Sequence, residues 1–305
     1  MAIGIGLISP MQQGKTMVED VTNEVVNVSY ASTPFYSSLG ESQATNTLHS
    51  WLTDSYASSA DNAAIEGNDL TFTDLTEPTR TSNVVQLFQK DIRVSNTSQR
   101  VNHYGTGDPY AYQKTKKMVE LARDIEKALI AGTTASGASG VARRMNGAIA
   151  LVTTNKTVRA SGTSLSETEF NDILQGIYDS GTDVSVDKAF TGAGLKRVIS
   201  GYAGNAKTVL NVAAAEGKLY NTVGLYESDF GVLNIHLERE VPTTAGNKGI
   251  LFTDSSKWKV AYLTDGRPQH IPLATIGSAK RGMLEAELTL EALNEASSGY
   301  RVGYI

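Results

Sequence analysis

Residues 45–53 and 84–95 show a pattern with a period of two, in which aromatic and β-branched residues recur at alternate positions. This alternation is typical of strands with one covered face, and we expect the two segments to pair as an antiparallel hairpin. The long connection between them is rich in Asp, Asn, Ser, Thr and Gly, and connections of this length are usually functional. Because an isolated two-stranded ribbon is only marginally stable in water, the hairpin needs a further surface to lie on.

A helical period replaces the alternation in residues 109–131. Asp108 is a good N-cap, Pro109 suits the first helical position, and Gly132 follows the last. At 1.5 Å per residue this helix is roughly 35 Å long, so it can act as a spine for the fold. Its expected apolar stripe consists of Met118, Leu121, Ile125, Ala128 and Leu129.

Helices and strands are mixed in the second half of the chain, after a flexible segment of small residues at 132–140. Ser166 and Glu169 form a capping-box pattern at the start of one helix, and another helix follows. Residues 1–35 have no sustained period and are predicted to form an extended arm. The apolar faces of the two helices consist of Phe170, Ile173, Leu174 and Ile177, and of Leu195, Val198, Ile199 and Tyr202. Strands are predicted at residues 207–213, 230–241, 249–253, 257–263 and 284–292.

Composition narrows the function classes. The chain has 305 residues, a net charge of -5 and no Cys. Its length predicts roughly two domains, and the lack of Cys excludes disulfides, thiolate zinc sites and cysteine nucleophiles. A net negative chain is unlike a sequence-specific nucleic-acid binder, which presents a basic patch. No stretch is long and apolar enough to span a bilayer, and the opening residues lack the basic start of a signal peptide, so we expect a cytoplasmic protein with no membrane partner.

Charge is unevenly distributed along the chain. Residues 16–79 contain ten acidic side chains and neither Lys nor Arg, whereas residues 80–144 contain eleven basic and five acidic side chains. Ordinary solvated faces, or neutralisation within one chain, are one explanation. The other is an acidic segment that docks on the basic surface of a neighbouring molecule, because complementary potentials steer association and fix register.

Motifs with catalytic chemistry are weak. Residues 14–16 read Gly-Lys-Thr, the end of a phosphate-binding loop, but the required Gly at position 9 is replaced by Ser. Residues 192–194 read Gly-Ala-Gly, like the start of a dinucleotide-binding motif, but Arg197 stands where that motif has its last Gly. The histidines are not spaced as metal ligands on a shared helix: His49, His103, His236 and His270. The sequence therefore predicts no enzyme, no metal site and no cofactor.

Several sequence strings resemble the major capsid proteins of tailed bacteriophages, in a family without a fused scaffolding segment. In the first half they are TPF at residues 33–35, SSLGESQATNTLHSWLTDS, NAAIEG, VVQLFQKDIRVSNT and AYQKTKKMVELARDIEKALIAG. In the second half they are DFGVLNIHLEREVP, SSKWKVAYLTDGRP and LATIGSAKRGMLEAELTLEALNEASSG. The similarity extends over about residues 30–300.

The resemblance implies an α+β fold of the Hong Kong ninety-seven phage type, with a mixed α/β axial domain and a peripheral domain with its own sheet. It implies an N-terminal arm at residues 1–41 and an extended β-hairpin loop at residues 42–97. The axial domain is expected at residues 145–251. The peripheral domain is discontinuous, carries the spine helix, and is expected at residues 98–144 and 252–305.

The resemblance also implies a structural function. Copies of the chain are expected to assemble as hexamers and pentamers into an icosahedral shell around the phage double-stranded DNA, located in the virion and assembled in the cytoplasm of the bacterial host. The implied partners are other copies of the chain, a separate scaffolding protein, a portal protein at one vertex, a cementing or decoration protein, and packaged DNA bound without sequence specificity. An encapsulin-like compartment, a phage tail or decoration protein, and an enzyme that uses residues 14–16 are the alternatives.

Resemblance and charge together predict contacts between copies, in which the acidic hairpin lies on a basic surface of the adjoining molecule. For Trp51, packing within its own chain is the default, and anchoring of the interface is the alternative. The acidic candidates are Asp54, Asp61, Glu66, Asp69 and Asp74, and the basic candidates are Arg93, Arg100, Lys114, Lys116 and Lys117.

Overall fold

The computed structural model describes residues 30–69, 72, 75–103, 105–180, 186–202 and 224–305. Its helices are α1 (Asn96–Arg100), α2 (Pro109–Ala131), α3 (Ala148–Leu151), α4 (Glu167–Asp179) and α5 (Ala193–Tyr202). Its strands are β1 (Gly40–Ala44), β2 (Leu48–Thr53), β3 (Thr79–Val84), β4 (Gln86–Ser95), β5 (Lys156–Thr163), β6 (Lys188–Thr191), β7 (Leu225–Ser228), β8 (Gly231–Leu237), β9 (Lys248–Thr253), β10 (Trp258–Leu263), β11 (Gln269–Leu273), β12 (Ala279–Ala292) and β13 (Gly299–Tyr304). These elements form two sheets and one separate hairpin, an α+β architecture.

A five-stranded sheet with α2 packed against it forms one half of the structure. Its strand order is β1-β10-β12-β11, and β4 pairs with β12 along the opposite edge. The long strand β12 holds this sheet together, because it pairs with β10 through residues 288–292 and with β11 through residues 281–285. Alternate side chains of β12 point into the core, where Leu284, Leu288 and Leu290 are fully buried.

The spine helix is confirmed at the predicted bounds, Pro109–Ala131. The Asp108 carboxylate accepts a hydrogen bond from the backbone N–H of Tyr110 at 2.8 Å, which satisfies one of the free amides of the first turn. The predicted stripe is wrong at Met118, whose side chain is exposed. Met118 lies on a turn of the helix between two buried stretches, one at Tyr110 and the other at residues 121–130. The buried face of the helix also includes Glu126.

A six-stranded sheet in the order β5-β13-β9-β6-β8-β7 forms the other half, with α4 and α5 packed against it. The predicted N-cap is confirmed, because the Ser166 hydroxyl accepts a hydrogen bond from Glu169 N at 3.2 Å. Strand β13 brings the C-terminal residues back into this sheet, between β5 and β9. The predicted apolar faces are buried at Phe170, Ile173, Leu174 and Ile177, and at Leu195, Ile199 and Tyr202.

The predicted pairing of the two alternating segments is wrong. Strand β2 pairs with β3, from Leu48 opposite Val84 to Thr53 opposite Thr79, whereas β4 pairs antiparallel with β12. The change of partner occurs at Val85, whose side chain is fully buried and whose N–H donates to Thr47 O at 2.8 Å. Alternation in residues 84–95 reflects one face buried against α2, and a buried face does not specify which strand lies alongside.

The other predicted strands correspond to β8, β9, β10 and β12, while the segment 207–213 and residues 14–16 lie outside the described residues. The sequence reasoning missed β1, β3, β5, β11, β13 and the short strands β6 and β7, which lack a sustained alternation. Within the described ranges, no helix combines the length and apolar character needed to cross a bilayer.

Candidate assembly surface

The tip loop, residues 54–78 between β2 and β3, presents large apolar side chains to solvent. Its described residues form neither helix nor strand. The exposed fractions are 85% for Ile65, 91% for Phe72 and 94% for Leu75, and Tyr56 is also fully exposed. Isolated exposed apolar residues are normal, but a concentrated set on one segment is typical of an interaction site. The tip loop is therefore the first candidate for a contact with another molecule.

The acidic candidates on the tip loop are free of ion pairs within the described part of the chain. Asp54, Asp61, Glu66 and Asp69 are all exposed. Their hydrogen bonds are local, as in the bond from Ser55 N to Asp54 Oδ1 at 2.9 Å. The fifth candidate, Asp74, lies outside the described residues. The negative charge of the tip loop is thus not neutralised by described residues of the same chain.

Trp51 is a core residue of its own chain, which corrects its candidacy as an interface anchor. The side chain is only 7% exposed and belongs to the same apolar cluster as Phe88 and Leu290. Its ring lies beside that of His49, with 5.8 Å between the ring centroids. A buried indole offers no surface to a second molecule, so Trp51 fixes the base of the β2–β3 hairpin instead.

Asn83 joins the hairpin to the rest of the fold through all of its amide hydrogen-bonding groups. The side chain is 2% exposed, and its Nδ2 donates to Leu290 O at 2.8 Å and to Asn146 O at 3.0 Å. Its Oδ1 accepts from Val84 N at 2.9 Å and from Asn146 N at 2.8 Å. Sequence reasoning missed this residue because Asn146 and Leu290, its partners outside the hairpin, lie far away along the chain.

We expect Asn83→Ala to lower the free energy of unfolding by about 2–3 kcal/mol, because buried backbone donors and acceptors are left without partners. Chemical denaturation of the purified chain measures this change. The matched control is Asn62→Ala in the exposed tip loop, which should change stability by less than about 0.5 kcal/mol. Equal effects of the two substitutions would contradict the structural role of Asn83.

The basic candidates differ in whether they already form an ion pair within their own chain. Arg93, Arg100, Lys114 and Lys116 are exposed and form no ion pair with a described residue. Lys117 instead pairs with Glu120 on the same helix, with 2.8 Å between Nζ and Oε2. This hydrogen bond raises the pKa of Lys117 and lowers the pKa of Glu120.

Sequence reasoning also missed Arg281, which the sheet places directly opposite Arg93 across the β4–β12 pair. Like charges at directly opposite positions destabilise a sheet. Arg281 Nε is buried and has no acceptor among the described residues. An acidic group from outside the chain would therefore stabilise this position. No local pattern reveals the pair, because only the register of two distant strands brings the arginines together.

The histidines are dispersed over the structure. His49 lies beside Trp51, His103 contacts Ser98, His236 stacks on Phe190, and His270 contacts Tyr110. Among the residues that the structure describes, no group of three His, Asp or Glu side chains is placed to hold a metal ion. The features best suited to contacts between molecules are therefore the tip loop and the exposed basic side chains of Arg93, Arg100, Lys114 and Lys116.

Comparison with protein families gives a match along nearly the whole chain. The family model described as "SU10 major capsid protein" matches residues 8–303. A curated relative, the major capsid protein of Escherichia phage Phieco32, is 36% identical over 126 residues. That alignment covers 41% of this chain and spans only 35% of the length of the relative.

Solved structures with the same fold include viral and non-viral shells. The Cyanophage A-1(L) capsid has a TM-score of 0.68 at 10% identity, with 97% of this chain and 99% of that chain covered. The holo-SrpI encapsulin complex from Synechococcus elongatus has a TM-score of 0.59 at 8% identity, with 98% and 96% covered. Both likenesses concern the fold alone, since the identities are 8% and 10%.

Proposed function

Because the chain belongs to the SU10 major capsid protein family, we propose that many copies of it build the protein shell of a bacteriophage head. The function is structural, as it is for the family. The observation that carries the proposal is the tip loop, where Ile65, Phe72 and Leu75 are almost fully exposed in the single chain. Such side chains gain order and stability when a neighbouring copy covers them.

Apolar burial supplies most of the affinity of this contact. Covering one large apolar side chain contributes about 1.5–3 kcal/mol, whereas one exposed ion pair contributes about 0–1 kcal/mol. The acidic side chains of the tip loop and the basic side chains of the neighbour therefore set orientation and register more than strength. The acidic side chains are proposed to pair with basic side chains of the neighbouring copy, namely Arg93, Arg100, Lys114, Lys116 and Arg281. Lys117 is a weaker candidate because Glu120 already neutralises it.

The proposed assembly follows the resemblance to tailed-phage capsid proteins. Hexamers and pentamers of the chain form an icosahedral shell around double-stranded DNA, which the shell contacts without sequence specificity. A separate scaffolding protein guides assembly in the host cytoplasm, a portal protein occupies one vertex, and a cementing or decoration protein binds the finished shell. The chain then resides in the virion.

The proposed domain division keeps an N-terminal arm, an extended loop, a peripheral domain and an axial domain, with two adjustments favoured by strand pairing. The extended loop is limited to residues 48–84, because β1 and β4 belong to the five-stranded sheet. Strand β13 is grouped with the axial domain, because it pairs with β5 and β9. The peripheral domain then contains α2 and the five-stranded sheet.

Electron microscopy of the expressed full chain, alone and with a separate scaffolding protein, tests the proposed function. We expect closed shells of uniform size. Tubes would favour a tail protein, and dispersed monomers under both conditions would contradict the proposal. An encapsulin-like compartment is the alternative candidate, since the holo-SrpI encapsulin shares this fold, but the family match favours the phage shell. A single cargo protein inside shells that form without any scaffolding protein would favour that candidate.

We expect reversal of charge in the tip loop, by Asp61→Lys, Glu66→Lys and Asp69→Lys together, to reduce the yield of closed shells several-fold. The three side chains are exposed and unpaired within the described chain, so the fold of the single subunit should be unaffected. Particle counts in electron micrographs measure the yield, and circular dichroism checks the fold.

Two controls separate local charge complementarity from net charge. In the first control, lysine replaces three exposed acidic residues outside the tip loop, Asp172, Asp179 and Asp229, and we expect a smaller loss of yield. Adding Arg93→Glu and Arg281→Glu to the tip-loop variant should restore part of the yield, because opposite charges then face each other again. A normal yield from the tip-loop variant would remove charge from the proposed contact.

A further inference from the structure

The arm root, residues 30–39, is fastened to the spine helix and to both sheets. Phe35 is fully buried, and its ring meets those of Phe190 in β6 and Trp258 in β10 edge-on, with centroid distances of 5.2 Å and 6.4 Å. The hydroxyl groups of Tyr36 and Tyr262 are 2.7 Å apart. The arm root thus lies at the junction of three parts of the fold.

The backbone of the arm root is held by a single carboxyl group of the spine helix. Glu126 Oε1 accepts a hydrogen bond from Phe35 N at 2.8 Å, and Glu126 Oε2 accepts one from Tyr36 N at 2.7 Å. The Glu126 side chain comes from the middle of α2 and the residue is only 2% exposed. A buried carboxyl on a helix is rare unless it is paired.

The group that faces Glu126 is a second buried carboxyl. Glu238, 4% exposed, follows β8, and its Oε1 accepts from Arg239 N at 2.7 Å and from Glu240 N at 3.0 Å. Its side chain lies within hydrogen-bonding range of Glu126, yet its buried Oε2 has no donor among the described residues. Two ionised carboxylates accept hydrogen bonds but cannot donate one. One proton between them supplies the missing donor.

Opposing effects act on the pKa of Glu126. Burial, followed by the hydrogen bond and the negative charge of Glu238, raises the pKa of Glu126 to about 8. The backbone N–H groups of Tyr36 and Phe35 act in the opposite direction, because they stabilise the ionised form. The first set dominates, as expected when two like charges share a dry site.

Two arginines of the neighbouring elements contact the arm root through Tyr30 and form no ion pair with either carboxyl, although Arg123 Nε is buried without an acceptor among the described residues. Arg123 of α2 and Arg239 stack on the ring of Tyr30, with 4.0 Å and 4.6 Å from each guanidinium carbon to the ring centroid. The Tyr30 hydroxyl donates to Glu240 at 2.9 Å.

The remaining titratable groups of the packed elements give no counter-charge to the pair. Lys127, next to Glu126 on α2, is exposed. His236 of β8 stacks on Phe190, and burial lowers its pKa, which disfavours its cationic form. Within the described residues, no cation forms an ion pair with either Glu126 or Glu238.

We propose that Glu126 and Glu238 form a proton-dependent latch that fastens the arm root to the spine helix. When one proton is shared, Glu126 carries it and donates to the otherwise unpartnered Glu238 Oε2, while the two Glu126 oxygens still accept from the backbone of Phe35 and Tyr36. When the proton leaves, two buried negative charges repel each other across the junction, and the attachment of the arm root weakens.

The sign of the pH dependence follows from linkage. The folded chain holds the Glu126 proton more tightly than the unfolded chain, whose glutamate pKa is near 4.5. The stability of the latch is therefore complete below about pH 4.5, declines as the pH rises, and is lost above about pH 8. Mild acid favours the fastened arm root.

Hydrogen exchange of the Phe35 and Tyr36 amides in the full chain tests the latch between pH 5 and 9. After correction for intrinsic exchange rates, we expect protection to fall by up to about tenfold per pH unit up to pH 8, as one linked proton dictates, and to level off above it. Glu238→Gln keeps an oxygen for the Arg239 and Glu240 amides and places an N–H donor opposite Glu126. This variant should show protection that is independent of pH.

Two further variants keep the test decisive. Glu126→Gln removes one acceptor from the arm root, so its protection should be low at every pH. Glu120→Gln, on the same helix but paired with Lys117, should keep the pH dependence of the unmodified chain. Protection that does not vary with pH in the unmodified chain, or pH dependence that persists in Glu238→Gln, would overturn the proposal.

Discussion

Replacing Ile65, Phe72 and Leu75 together with serine should abolish closed shells, while the free energy of unfolding of the isolated subunit stays unchanged. The three side chains are 85%, 91% and 94% exposed, so the single chain loses no packing when they are shortened. In the proposed assembly each one is covered by a neighbouring copy, and each loss removes about 1.5–3 kcal/mol from that contact. Electron microscopy counts the shells, and chemical denaturation measures subunit stability.

The matched control replaces three polar neighbours in the tip loop, Asn62, Asn68 and Thr76, with serine. This variant should assemble normally, because no large apolar side chain is lost. Shells at the normal yield from the Ile65, Phe72 and Leu75 variant, with a folded subunit, would rule out the tip loop as the main apolar contact between copies.

Phe35→Ala should lower the free energy of unfolding by about 3–5 kcal/mol, a large part of the stability of an ordinary domain. The ring is fully buried between Phe190 and Trp258, and its removal leaves a cavity at the junction of the two sheets. Denaturant titration of the full chain, with the slope checked for two-state behaviour, measures the loss.

Phe72→Ala is the control for this experiment, because it makes the same chemical change at a ring that is 91% exposed. Its effect on subunit stability should be within about 0.5 kcal/mol. A small effect of Phe35→Ala, similar to that of the control, would mean that the arm root does not stabilise the fold.

Local signals explain what the sequence could predict. The bounds of the spine helix follow from Asp108, Pro109 and Gly132, each of which acts on its own turn of backbone. The strand character of residues 284–292 follows from strict alternation, although the observed β12 begins earlier. Family membership, which the strings along the chain indicated, is confirmed by the match to residues 8–303.

Long-range pairing explains what the sequence could not predict. The partner of β4 is β12, almost two hundred residues later, and no pattern within β4 specifies that choice. Glu126 follows Ile125 as an ordinary polar position of a helix, and only the arrival of Phe35 and Glu238 makes it a buried acid. Arg281 becomes notable only because the register sets it opposite Arg93.

Strand pairing between distant residues also affects how this chain folds during synthesis. β1 needs β10, and β4 needs β12, so the five-stranded sheet cannot close until β12 has left the ribosome. A topology of such high contact order folds slowly, and the tip loop is synthesised long before the five-stranded sheet is complete. A nascent chain therefore exposes its tip loop before the sheet that carries Arg93 and Arg281 is complete, so we expect association to follow the synthesis of β12.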